Sequence, residues 1–187
     1  MDFELVIRKV VGALEAAGVN YALIGGFAMG LRGVQRATMD LDFILMLEDL
    51  GKADEIIRGF GYERIFHSPD VSQYQSTAGD WGRIDILHAF RGPTLGMLQR
   101  AEALPVLDGL SIRVVHLEDI IGLKVQAVVN NPARATRDWA DIRMILEAAR
   151  EQDTAIDWAL IIDYLKIFRL EDRLDELKKY HGLPDRD

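Results

Sequence analysis

Apolar positions set the reading of this chain. Phe3, Val6, Val10, Val11 and Leu14 recur at helical spacing, so an amphipathic helix is expected over residues 3–17, ended by Gly18. Tyr21 to Ile24 is a short apolar run that stops at Gly25-Gly26. Residues 27–32 suit one or two helical turns before Gly33, and residues 41–47 form a second apolar run, entered through Asp40 and Asp42. The order is strand, glycine turn, short helix, then a strand carrying two carboxylates.

A helix beginning at Glu48-Asp49 puts Leu50, Ala53, Ile56, Ile57 and Phe60 on one face and stops at Gly61. A strand over 62–66 is followed by a polar, loop-rich stretch to Asp80, with a short strand expected at 73–76. After a turn at Asp80-Trp81-Gly82, residues 83–87 read as a strand in which Asp85 sits between Ile84 and Ile86. A helix over 94–103, capped by Thr94, leads to a hairpin turning at Asp108-Gly109. From Leu117 onward the pattern is helical throughout: 117–129, broken by Asn130-Asn131-Pro132, then 136–149, a helix capped by Thr154 and running to 168, and 171–180, ended by Gly182 and Pro184. The reading is an α+β chain: a core of mixed strands and helices over residues 1–116, and a helical C-terminal region over 117–187 packed on it.

Composition narrows the function classes. The chain has 187 residues and no cysteine, which removes disulfides and thiolate metal sites and fits a cytoplasmic protein. No apolar run reaches membrane-spanning length, and Met1-Asp2-Phe3-Glu4 lacks the form of a signal peptide, so no membrane partner is expected. The net charge of −8 argues against broad non-specific nucleic-acid binding, although a local basic patch would still grip RNA.

The chemistry concentrates between Gly25 and Asp42. Paired glycines between a strand and a helix let backbone approach a ligand, and a helix start offers N–H groups to phosphate. Asp40 and Asp42 are two apart on a strand, so both face one side. Two such carboxylates call for a cation, and with phosphates nearby Mg²⁺ is the natural one. Asp85 admits a plain reading as an ion pair with Arg83 or a surface acid. Arg36 and Thr38 precede the acids and are candidates to contact phosphate. None of His67, His88, His116 and His181 shows metal-ligand spacing, and His88 reads as a surface or capping residue. Trp139 and Trp158 read as core, and Trp81 as the tryptophan best placed to touch a nucleobase.

Gly25-Gly26, the spacer to Met39 and Asp40-Leu41-Asp42 resemble the signature of the nucleotidyltransferase superfamily. Arg36-x-Thr38-x-Asp40-Leu41-Asp42 resembles the branch of the AbiEii-like toxin nucleotidyltransferases. The resemblance implies the nucleotidyltransferase fold, a mixed β-sheet flanked by helices, with divalent metal (two Mg²⁺ ions held by Asp40, Asp42 and Asp85) and transfer of a nucleoside monophosphate from an NTP. It implies catalytic roles for the same three acids, with Asp85 as the third. It further assigns nucleotide contacts to Gly25, Gly26, Arg36, Thr38 and Lys124, whose own plain reading is a solvated lysine. The later segment Arg137-Asp138-Trp139-Ala140-Asp141-Ile142 is similar to the branch's later motif, in which Asp138 supports the lysine and Asp141 competes for that role. The expected acceptor is RNA or protein, ahead of a small alcohol. A toxin role would bring a cognate antitoxin as partner. The alternative is a non-transferring nucleotide-binding or partner-interaction module on the same fold.

Overall fold

The computed structural model describes residues 2–77 and 81–183, so Asp80 and Pro184 lie outside the described residues. The described chain forms two compact units: residues 1–31 with 35–116, and residues 32–34 with 117–187.

The first unit is built on a seven-stranded mixed sheet in the order β3-β4-β5-β2-β1-β7-β6. Its strands are β1 (Tyr21–Ile24), β2 (Asp40–Met46), β3 (Tyr62–His67), β4 (Val71–Ser76), β5 (Arg83–Ala89), β6 (Glu102–Leu107) and β7 (Leu110–Val114). β1 and β2 are antiparallel, whereas β2 pairs in parallel with β5 from Asp40↔Arg83 to Met46↔Ala89. A parallel neighbour needs a long crossover, here supplied by α4 (Leu50–Gly59) and the β3–β4 hairpin. β1, β2 and β5 occupy the centre, where Leu23, Leu41, Phe43, Leu45, Ile84 and Ile86 are almost fully buried.

The opening helix is continuous but not uniform. α1 (Phe3–Val6) and α2 (Gly12–Ala16) flank a π-helical turn at Ile7–Val11, and Val6, Ile7, Val10, Val11 and Leu14 are all buried. Gly18 ends it with φ +66°. After β1 comes α3 (Gly25–Leu31), beginning at the glycine pair itself.

The boundaries of β4 and α5 depart from the pattern-based reading. β4 starts at Val71 rather than 73, because Ser68 closes the hairpin: its N–H donates to Val71 O at 2.8 Å, and its Oγ accepts from Val71 N at 3.1 Å. α5 (Gly92–Arg100) starts before Thr94 and ends earlier than 103. Thr94 Oγ1 reaches back to donate to Arg91 O at 2.9 Å, and Glu102 to Leu104 pair with β7 instead of extending the helix. Strand pairing there outweighs local helix propensity.

The second unit is helical: α6 (Leu117–Asn130), α7 (Ala135–Glu151), α8 (Trp158–Phe168) and α9 (Leu174–Tyr180). Asp157, not Thr154, caps α8, its Oδ1 accepting from Leu160 N at 3.1 Å. Gly122 lets α6 and α8 approach, since a β-carbon there would sit 2.7 Å from the Tyr164 ring. Tyr164 in turn donates to the fully buried Asp119 at 2.6 Å. Among the described residues no helix is long and apolar enough to cross a membrane.

Candidate active site

The glycine pair is explained by what presses on it. Gly25 has φ +70°, and a β-carbon there would overlap the carboxylate of Asp42. A β-carbon on Gly26 would lie 2.9 Å from Cβ of Thr38. The turn after β1 is therefore bare so that β2 and the loop entering it can lie against it. Thr38 fastens that entry, its Oγ1 donating to Asp40 O at 3.3 Å. Arg36 donates from Nη1 to Ala37 O at 2.7 Å.

Register gathers the acids. Asp42 pairs with Ile24 of β1 on one side and with Asp85 of β5 on the other, and Asp85 pairs with Gln73 of β4. One step along, Asp40 pairs with Arg83. Neighbouring strands lie about 4.8 Å apart and residues two apart share a face. Asp40, Asp42, Asp85 and Arg83 thus form a two-by-two patch on one face of β2 and β5. All four are half-buried, while the intervening Leu41 and Ile84 are fully buried on the other face.

Within the patch Arg83 grips Asp85. Nε donates to Oδ1 at 2.6 Å and Nη2 to Oδ2 at 2.7 Å, and Gln73 Nε2 adds a longer contact to Oδ2 at 3.4 Å. The hydrogen bond to Asp85 raises the Arg83 pKa, and the charges of Asp85, Asp40 and Asp42 add to it against partial burial. The ion-pair reading of Asp85 thus describes the structure, and Gln73 and Arg83 join the site. The sequence signal for Arg83 was its parity: two before Asp85 on a strand, it had to share that face.

Among the described residues no three acidic or imidazole side chains converge as a ready metal cage. The donor chemistry nonetheless fits a hard divalent cation, with three carboxylates on one face and no sulfur or imidazole among them. What stands between Asp85 and such a role is the Arg83 fork.

Lys124, Asp138 and Asp141 belong to the second unit. Lys124 is not a solvated lysine: its side chain is 14% exposed, and Nζ donates to Asp138 Oδ1 at 3.1 Å and to Asp141 Oδ2 at 2.5 Å. Both aspartates therefore hold it. Oδ2 of Asp138 is buried without a hydrogen bond, with Arg134 Nε at ion-pair distance, 3.4 Å.

Other candidates resolve differently. His88 is 2% exposed, not a surface residue. Its Nδ1 donates to Pro69 O at 2.9 Å, which fixes Nε2 as the acceptor of the Ser72 hydroxyl at 2.9 Å. The Trp81 ring packs against Phe60 and Tyr62, with the Lys9 ammonium 5.5 Å above it. Trp139 and Trp158 are half-buried, Trp139 lying under the Arg173 guanidinium and Trp158 against His181.

Residues 73–181, more than half of the chain, match the family model described as nucleotidyl transferase AbiEii toxin, Type IV TA system. The chain belongs to the AbiEii nucleotidyltransferase family. The matched span takes in Asp85, Lys124, Asp138 and Asp141 of this AbiEii member. No curated protein sequence matches it. Among solved structures, ANT(2″)-Ia in complex with adenylyl-2″-tobramycin is similar at TM-score 0.66 and 16% identity, over 88% of this chain and 97% of that one. An antigenic nucleotidyltransferase-like protein from Paracoccidioides brasiliensis gives TM-score 0.55 at 16% identity, over 100% and 95%. The lincosamide antibiotic adenylyltransferase LnuA, lincomycin-bound, gives 0.50 at 16%, over 63% and 83%. At these identities the likeness is one of fold, and the fold is the nucleotidyltransferase α+β sheet.

Proposed function

We propose that this AbiEii-family protein is a divalent-metal-dependent nucleotidyltransferase that moves a nucleoside monophosphate from an NTP to an acceptor hydroxyl of RNA or protein. The observation that carries the reading is the register pair Asp42↔Asp85 with Asp40 on the same face, set against a glycine turn whose side-chain space Asp42 fills. A lone pair of acids serves binding; a third from another strand serves an acceptor.

In this reading Asp40 and Asp42 hold Mg²⁺, and Asp85 completes the set. When bound, the ions stabilise charge on the phosphoryl oxygens and lower the pKa of the acceptor hydroxyl. Asp85 receives the proton of that hydroxyl. The acceptor oxygen bonds to the α-phosphorus, the bond from that phosphorus to the β-phosphate bridge oxygen breaks, and pyrophosphate leaves. Gly25 and Gly26 give the phosphates backbone access, with Arg36 and Thr38 at the entry to β2. Lys124, held by Asp138 and Asp141, offsets charge on the leaving pyrophosphate. A cytoplasmic setting and a toxin role opposed by an antitoxin go with this reading.

The direct test incubates the protein with Mg²⁺ and each α-labelled NTP in turn, with total bacterial RNA or protein as acceptor. Label in one pool and release of pyrophosphate are expected. Nucleotide binding with no label transferred to any pool would favour the nucleotide-binding module instead, a reading that the Arg83 grip on Asp85 supports.

A further inference from the structure

We infer that Arg83 is an internal counter-ion occupying the place of the divalent cation, so that Arg83 and the cation compete for Asp85. The inference rests on the proposed metal reading and deepens it. Both Asp85 oxygens are engaged, by Nε at 2.6 Å and Nη2 at 2.7 Å, in the two-pronged geometry that makes arginine–carboxylate pairs strong. Arg83 is also the register partner of Asp40, and it feels the charges of Asp40 and Asp42 as well as Asp85. The Arg83 guanidinium thus grips one carboxylate of the patch and lies in the field of the other two. The pair is not sealed off: the side chains are 34% and 23% exposed, so the fork can be displaced.

The consequence is a positioning role with a definite sign. An arginine that merely braces Asp85 for a metal would improve metal binding. An arginine that stands in for the metal must weaken it, while keeping the carboxylates tolerable to one another when no cation is bound. Release of the fork also returns a guanidinium suited to a phosphate oxygen.

The test measures Mn²⁺ binding by electron paramagnetic resonance of free Mn²⁺, on chelator-stripped full-length protein. Arg83→Gln is expected to bind Mn²⁺ about tenfold more tightly than the parent, since removing a like charge beside the site is worth about that much. Arg83→Lys, which keeps the charge but loses the fork, is expected between the two and serves if the glutamine variant does not fold. Thermal melts give the second readout. In chelator Arg83→Gln melts below the parent, and Mn²⁺ closes the gap. Unchanged or weaker Mn²⁺ binding in both variants, or a melting gap that Mn²⁺ leaves intact, overturns the inference. Asp42→Asn separates this from failure of the underlying reading. If it weakens Mn²⁺ binding while the Arg83 variants do not tighten it, only the competition is wrong. If it leaves Mn²⁺ binding unchanged, the acids hold no metal and both fall.

Discussion

Gly25 and Asp42 occupy one space: a β-carbon on the glycine would overlap the carboxylate two strand positions past the start of β2. Gly25→Ala therefore carries two penalties, a residue with φ +70° and an overlap with Asp42. We expect a loss of about 2 kcal/mol or more in stability. Nucleotide affinity should fall with it, because Asp42 is the group displaced. Chemical denaturation and nucleotide titration of the same sample check both. A variant that binds nucleotide like the parent would mean that Asp42 is not part of the nucleotide site.

In the proposed reading carboxylates and phosphates share the ion, so Mg²⁺ together with an NTP should raise the melting temperature much more than either alone. At about a hundredfold excess over the dissociation constant the stabilisation is about 3 kcal/mol. Scanning calorimetry with each NTP at millimolar concentration measures it. No shift with any of them would remove the nucleotide reading.

Asp85→Asn keeps the shape and one acceptor oxygen for Arg83 but loses the charge. Mg²⁺–NTP binding should stay within several-fold of the parent, and label transfer should fall by about 10²–10⁴. Transfer at near-parental rate would take the proton-accepting role away from Asp85.

Lys124→Ala leaves Asp138 and Asp141 buried beside each other with their shared cation gone. A cost of about 3–5 kcal/mol is expected, partly recovered by adding Asp141→Asn. If Lys124 also meets the leaving group, the variant loses more affinity for a triphosphate than for a monophosphate. Equal losses would restrict Lys124 to holding α6 and α7 together.

His88 gives a pH dependence with a fixed sign. Burial holds its pKa below the ordinary 6.5. The unfolded chain thus binds a proton more readily than the folded one, and stability falls as pH drops below about 6.5. Asp70, whose charge opposes this shift, and His67, whose charge adds to it, are the ionisable neighbours. Urea midpoints between pH 7.5 and 5 should decline in the parent, and His88→Gln should flatten the decline. An identical slope in both would assign the effect elsewhere.

The strands carrying Asp40, Asp42 and Asp85 were legible because each acid breaks an apolar run at even spacing, and the glycine turn announced itself by composition. β4 was harder, since Val71-Ser72-Gln73-Tyr74-Gln75-Ser76 is polar by count and is drawn into the sheet by neighbours on both sides. The same insertion buries Ser72 and so makes His88 a core residue, which nothing near His88 in sequence foretells. The Arg83 fork was legible only as one of two readings, because spacing fixes which face a side chain takes and not which partner it chooses. Thr94 misled for a related reason: it is a good cap, but its hydroxyl turns back to Arg91 inside a helix that has already begun.

The parallel pairing of β2 with β5 has a consequence for synthesis. β5 enters the sheet between β4 and β2, both of which precede it in the chain. Until Ala89 has left the ribosome, those two strands wait with open edges, and Asp40 and Asp42 wait without Arg83. The acidic face thus comes into being at one definite chain length, and a nascent chain arrested short of it would present sticky strand edges rather than a partial site.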